Sequence, residues 1–376
     1  MSPAQTYDGI VIGGGFTGAL AALASIRGGN HVLLLTGDKE GKADEYANTP
    51  HLLPWGSLHD ADTWAPGLGA QLLDAGASPI PLPEGLVSSG APAPRWGTSH
   101  PKVLSCTRQL FRTTLHANLA MEHGFYGHLS VRNGTAVGLL GSRREVTGVR
   151  VNFDDGATEE VHAPLVVDCS GRSSAADWLT ALGLPPTRQT TQRAALTYTQ
   201  QEYELPGMPS HIVWNPSMIL APVEDRKWVL TCSTEASVEN PASWRTLSAG
   251  ISHIAQADPV GDPDLVRIPP RRIHHYDEQL CWPRGFLVLG DAVGTQNPLN
   301  GTDAEIAQAM VETFHQELCR GGIAHPTLAE RTQAAVNHLS SRAWGLPVEK
   351  PTRNKWASAR KAGREVSRPG IPFRWC

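Results

Sequence analysis

The stretch Gly9–Ala22, GIVIGGGFTGALAA, decides the fold. An apolar run, Gly9–Ile12, enters Gly13-Gly14-Gly15, an alanine-rich helix is expected over Thr17–Ile26, and a second apolar run, His31–Thr36, follows. Continuously apolar strands on either side of a helix suit a parallel sheet covered on both faces. Glycines at 13, 15 and 18 let bare backbone approach a pyrophosphate, whose charge is stabilised at the helix N-terminus. A glycine triplet also serves ordinary tight turns. The strand, helix and second strand at these intervals make Asp8 to Leu35 an adenine-dinucleotide-binding βαβ unit, with Phe16 and Thr17 at its turn.

Such a unit calls for an acidic residue at the end of the second strand, to accept from the ribose hydroxyls. Here the strand ends Thr36-Gly37-Asp38. Either Thr36 makes a weaker contact or Asp38 substitutes, at a cost of about 1.5–3 kcal/mol in affinity for one lost charged hydrogen bond.

The chain of 376 residues is long enough for two interleaved domains. Lys and Arg number 32 against 36 Asp and Glu, a net charge of −4, with no basic block able to neutralise a run of phosphates, so nucleic acid is not an expected partner. The basic stretch Arg342 to Arg368 reads as a solvated helix or tail. Six dispersed cysteines, without a CxxC pair or a Cys/His cluster, argue against a metal site and point to a reducing cytoplasm. No apolar run approaches membrane-spanning length, and the start lacks the pattern of a cleaved leader.

The region Gly37 to Pro101 is loose and rich in Pro, Gly, Trp and His. Helical patterning returns over Thr107–Glu122. Ala136–Leu140 and Thr147–Phe153 read as a hairpin, and Leu165–Asp168 as a short buried strand. Alternating β patterns follow at Ala194–Glu204, Ser217–Ala221, Lys227–Cys232 and Arg271–Tyr276, with a helix expected over Ala242–Ala255. The chain then resumes the first domain with strand Gly285–Leu289, the turn Gly290-Asp291 and a helix through Ile306–Arg320. The expected division is a discontinuous dinucleotide-binding domain over 1–192 and 277–325, an antiparallel substrate lobe over 193–276, and a helical or irregular tail over 326–376. The fold class is α/β: a Rossmann-like, mostly parallel sheet with an inserted antiparallel lobe.

Leu287-Val288-Leu289-Gly290-Asp291-Ala292, followed by Asn297-Pro298-Leu299-Asn300-Gly301, is the second chemical signal. An Asp at the end of a buried strand can accept from a ribityl hydroxyl. The helix after it can aim its N-terminal amides at a flavin ring. Gly-Asp-Ala alone is common, but combined with the distant glycine turn it selects FAD.

With these motifs in place the chain resembles the group A FAD-dependent monooxygenases, an aromatic hydroxylase-like fold. It looks most like their bacterial natural-product members, which include epoxidases. The resemblance rests on Gly9–Ala22, Thr107–Leu115 (TRQLFRTTL), Leu165–Ala181 (LVVDCSGRSSAADWLTA) and Trp282–Ala307, in order over most of residues 8–320. It implies that Gly13, Gly15 and Gly18 contact the pyrophosphate, that Arg108 lies by the cofactor, and that Asp291 binds the ribityl chain. Pro298 and Gly301 would shape the loop beside the flavin ring. Where the family has Gly-x-Gly this chain has Gly301-Thr302-Asp303, which places a carboxylate near the ring, where it opposes an anionic reduced flavin.

The implied activity is hydroxylation or epoxidation of a small organic substrate in specialised metabolism, with NAD(P)H as transient reductant. The alternatives are an FAD-binding cyclase whose cofactor is structural, motivated by Thr36 and Asp303, and a flavin-dependent halogenase or reductase. The halogenase reading lacks a Trp-x-Trp-x-Ile-Pro string. No side chain is singled out as catalytic, because oxygen chemistry belongs to the cofactor. Of His274-His275, one is expected packed and one exposed, since strand neighbours face opposite ways. His51, Trp55 and His59 either line a substrate entrance or belong to a loop anchored by a buried Trp. Asp168 reads as a turn residue and Cys169 as a small core residue.

Overall fold

The structure, a computed structural model, describes residues 6–37, 47–54, 62, 65–88, 102–126, 128–171, 174–192, 196–205, 210–215, 217–233, 257, 259–268, 270–295 and 302–345. The chain opens with β1 (Gly9–Ile12), α1 (Phe16–Arg27) and β2 (Val32–Thr36), the expected βαβ unit. Next come β3 (Pro50–Pro54), α2 (Leu68–Asp74), β4 (Ser78–Pro81), β5 (Leu86–Ser88), β6 (Lys102–Thr107) and α3 (Arg108–Tyr126). A meander of β7 (Leu129–Ser142), β8 (Glu145–Phe153) and β9 (Thr158–His162) leads to β10 (Leu165–Asp168) and α4 (Ser174–Ala181). The β-rich part holds β11 (Gln189–Thr191), β12 (Leu196–Glu204), β13 (Ile212–Asn215), β14 (Met218–Pro222), β15 (Lys227–Ser233), β16 (Pro259–Ile268) and β17 (Arg272–His274). Strand β18 (Phe286–Val288) and helices α5 (Asp303–Gly321) and α6 (Leu328–Ala343) complete it.

A seven-stranded mixed sheet runs β18-β10-β1-β2-β7-β8-β9. Its first five strands are parallel, and their register brings Ile12 level with Leu35 and Asp168, and Asp168 level with Val288. The carboxyl ends of β18, β10, β1 and β2 therefore finish on one line, where ligands of open α/β sheets bind, and β7 runs on past it. Val32, Leu33, Leu34 and Leu35 have no exposed surface because α1 and other elements cover both faces. Each such burial contributes about 1.5–3 kcal/mol.

The six-stranded sheet, β16-β12-β15-β14-β13-β5, is antiparallel except for the β13–β5 pair. Alternation sorts its side chains: Ile212, Trp214 and Ile219 join one apolar cluster, Val213, Leu220 and Leu230 the other. Leu52, Ile80 and Val103 of the three-stranded sheet β3-β6-β4 pack into the first cluster.

That three-stranded sheet lies in and beside the stretch expected to be loose. Its strands PHLLP and SPIP carry prolines and no apolar alternation, so periodicity did not mark them. The expected strand Arg271–Tyr276 is only Arg272–His274, paired with β11 outside the six-stranded sheet. Consequently His275 follows the strand end, where alternation no longer sorts neighbours. His274 and His275 are both buried, correcting the expectation of one exposed ring: His275 Nε2 lies 2.8 Å from Thr190 Oγ1. The helix expected over Ala242–Ala255 lies outside the described residues.

Candidate functional site

The glycine turn is a close-packed junction. Gly13 has φ 104°, and a Cβ there would stand 2.6 Å from the Cys169 carbonyl oxygen, so the turn can touch β10 only as glycine. A Cβ on Gly18 would meet the Gly13 carbonyl oxygen at 1.8 Å. Gly18 thus lets the helix start press against the turn. Gly15, the N-cap of α1, has no side-chain cap, and a Cβ there would meet nothing within 4 Å. The start of α1, whose first amides have no partner within the helix, therefore borders open space.

That space is a cavity of about 380 Å³. Gly13, Gly14, Gly15, Phe16 and Thr17 line it together with Asp291, Asp303, Arg108 and His51. Leu35, Gly37, Gly134, Thr135, Ala136, Ser170, Gly171, Ser174 and Trp178 are further walls. Asp291 reaches it because Gly290, at φ 64°, sits against the Thr17 hydroxyl, where a Cβ would be 2.5 Å from Oγ1.

Arg108, the first residue of α3, donates from Nη2 to Asp303 Oδ2 at 2.9 Å. Their side chains are 33% and 20% exposed. Asp303 is the first residue of α5, N-capped by Thr302 without a side-chain bond. Burial opposes its charge, but Arg108, then His51 and the amides at its own helix start, outweigh burial and hold its carboxyl below the usual range. The carboxylate expected to burden this site therefore carries its own counter-charge. Beside the pair, burial and then Arg108 lower His51 to about 4, and its buried Nε2 has no partner among the described residues. Asp291 is open to the cavity yet walled in by protein. Burial of the charge, then Asp303, push its carboxyl up to about 6 against the pull of Arg108 and Arg272.

Thr36 does not line the cavity. It is buried, and its Oγ1 donates to Asn133 Oδ1 at the end of the parallel β2–β7 ladder. Gly18 and Thr302 support the wall without forming it, and Asp38, Trp55, His59, Pro298 and Gly301 lie outside the described residues. Asp168 is a turn residue as expected: Oδ1 accepts from Ser170 N at 2.9 Å. Cys169 is buried, and burial pushes its thiol well up.

The sequence pattern marks neither the wall residues that β7 supplies nor the histidine behind the glycine turn. Gly134, Thr135 and Ala136 arrive because β7 runs parallel to β2 before turning to pair with β8, a long-range pairing with no local signature. His116 holds the turn, its Nε2 lying 2.8 Å from the Gly14 carbonyl oxygen. Its sole signal is a position two turns along the helix that Arg108 begins.

No family model matches the chain. A stretch of 162 residues is 30% identical to Protein Rv3254 of Mycobacterium tuberculosis, spanning 38% of this chain and 34% of that protein, about a third of its length. Among solved structures, p-nitrophenol 4-monooxygenase PnpA of Pseudomonas putida DLL-E4 superposes with TM-score 0.64 at 15% identity, over 96% of this chain and 94% of that one. The flavin-dependent brominase Bmp2 superposes with TM-score 0.60 at 14% identity, over 96% and 83%. The chain has the fold of these flavin-dependent enzymes, and both that fold and the α/β class agree with the motifs in the sequence. At such identities what the two solved structures share with the chain is architecture, and fold alone does not assign a reaction.

Proposed function

We propose that the chain is an FAD-dependent oxidoreductase of monooxygenase type, hydroxylating or epoxidising a small organic substrate with NAD(P)H as reductant. One observation carries the reading: the glycine turn and Asp291, from opposite ends of the sequence, border the same cavity. The residues present fit the cofactor. Open backbone at Gly15 and the amides of α1 suit a pyrophosphate. Asp291, walled in but facing the cavity, suits the ribityl hydroxyls, and Arg108, Thr302 and Asp303 would border the ring. Pro298 and Gly301, outside the described residues, are proposed to shape the loop beside the ring. When bound, the flavin would supply electron transfer and oxygen activation. The chain's own part is to bind, orient and exclude water. The Arg108–Asp303 pair keeps the ring's surroundings close to neutral, and His51, uncharged at pH 7, leaves Nε2 free to meet a polar ligand group.

A second reading, an FAD-binding cyclase with a structural cofactor, is favoured by Thr36, whose hydroxyl is turned to Asn133 and away from the cavity. The halogenase reading gains the brominase-like architecture but finds no lysine among the described residues lining the cavity. A visible spectrum of the purified protein separates the first two. Flavin absorption bleached by NADPH, with oxygen consumed when substrate is present, is the expected outcome. Yellow protein that NADPH leaves oxidised selects the cyclase, and colourless protein that FAD cannot reconstitute overturns both.

A further inference from the structure

Glu224, which does not line the cavity, lies in the turn that joins β14 to β15 of the six-stranded sheet. Its carboxylate reaches the start of α3. Thr107 N donates to Glu224 Oε2 at 2.9 Å, and the Thr107 hydroxyl donates to Glu224 Oε1. The same hydroxyl accepts from Leu110 N at 3.1 Å, so Thr107 is the N-cap of the helix whose first residue is Arg108. A carboxylate here answers both the free amide and the helix dipole.

Two features indicate that the turn is built for this reach. Asp225 and Arg226, consecutive non-glycine residues, have φ 58° and 59°, a left-handed conformation that L-residues adopt only when neighbours hold it. On the facing side Gly76, at φ 100°, leaves room where a Cβ would stand 3.2 Å from Glu224 Cβ. A parallel link lies alongside. Arg108 N donates to the Thr49 carbonyl oxygen at 3.0 Å, Thr49 Oγ1 donates to Gln200 Oε1 at 3.4 Å, and Gln200 Nε2 donates to Thr231 Oγ1 at 3.2 Å. Gln200 and Thr231 belong to β12 and β15. Arg108 is thus flanked by two tethers to one sheet.

We propose that Glu224 is a positioning residue for the cavity: by gripping Thr107 it holds Arg108 in register with Asp303 and couples the six-stranded sheet to the site. The inference rests on the FAD reading only for its effect on cofactor. A purely structural Glu224 would stabilise the fold and leave the pair where it is.

The test compares Glu224→Ala, Glu224→Gln and Arg108→Met, with FAD as the probe. Glu224→Ala is expected to weaken FAD binding about tenfold, the size of one coupled charged contact, and to shift the flavin midpoint potential. Gln, which keeps an accepting oxygen for Thr107 N, is expected to restore most of both. In the Arg108→Met background Glu224→Ala is expected to add no further loss. A lower melting temperature with wild-type affinity and potential overturns the proposal, as do losses that simply add. A readout without cofactor is the ring titration of His51 by NMR, assigned with His51→Asn. Releasing Arg108 should raise its midpoint, and an unchanged midpoint in Glu224→Ala overturns the latch. If the wild-type protein takes no FAD, the proposed function fails while this titration still decides the role of Glu224. Should the Ala variant not fold, Glu224→Asp, too short to reach both Thr107 groups, gives the same readings in milder form.

Discussion

Arg108 and Asp303, the first residues of two helices that begin nearly two hundred positions apart, close an ion pair of 2.9 Å inside the cavity. Removing one partner strands the other charge in a partly buried place, whereas removing both does not. Arg108→Met should therefore cost about 1–2 kcal/mol in urea unfolding at pH 7. The double variant Arg108→Met with Asp303→Asn should recover part of that loss. Equal stability of the single and double variants would show that the pair is too solvated to matter.

Gly15 and Gly18 separate folding from ligand approach. Gly18→Ala places a methyl 1.8 Å from the Gly13 carbonyl oxygen and should lower the melting temperature sharply, through overpacking of about 1–3 kcal/mol or more. Gly15→Ala points into open space and should melt like wild type while binding FAD more weakly. Unchanged FAD affinity in Gly15→Ala would move the pyrophosphate elsewhere.

Asp291 has its carboxyl raised, chiefly by burial, to about 6. The folded state then holds a proton that the unfolded chain releases near pH 4, so wild-type stability falls as pH rises from about 4 to about 6. Asp291→Asn should be the more stable protein at pH 7.5 in the absence of cofactor, by about 1 kcal/mol once the open cavity's screening is allowed for. The difference should shrink below pH 4. Paired melting curves at the two pH values measure it.

His51 and His274 are both lowered to about 4, with burial the largest cause. The unfolded chain binds a proton at each near pH 6.5 that the fold refuses, so stability is lost as pH falls through the window from about 6.5 to about 4. His51→Phe, beside Phe111 at 4.9 Å between ring centroids, should flatten one share of that acid loss, up to about 3 kcal/mol. A pH series of unfolding curves parallel to wild type would show that His51 is already solvated.

The sequence alone determined the βαβ unit, since strand, glycine turn and helix are local patterns with a local physical cause: continuous apolar strands, a helical apolar period and a turn that leaves no room for a side chain at Gly13 and Gly18. The return of Gly290-Asp291 to the same sheet was legible only in combination with the distant glycine turn, since Gly-Asp-Ala alone is common, and β18 does pair with β10. Tertiary structure alone decided the state of the charges. The Arg108–Asp303 pair, the lowered His51, the raised Asp291 and the inward turn of Thr36 to Asn133 each depend on residues brought together from distant segments. Electrostatics and desolvation act through distance and burial, and neither is encoded in the spacing of residues along a chain.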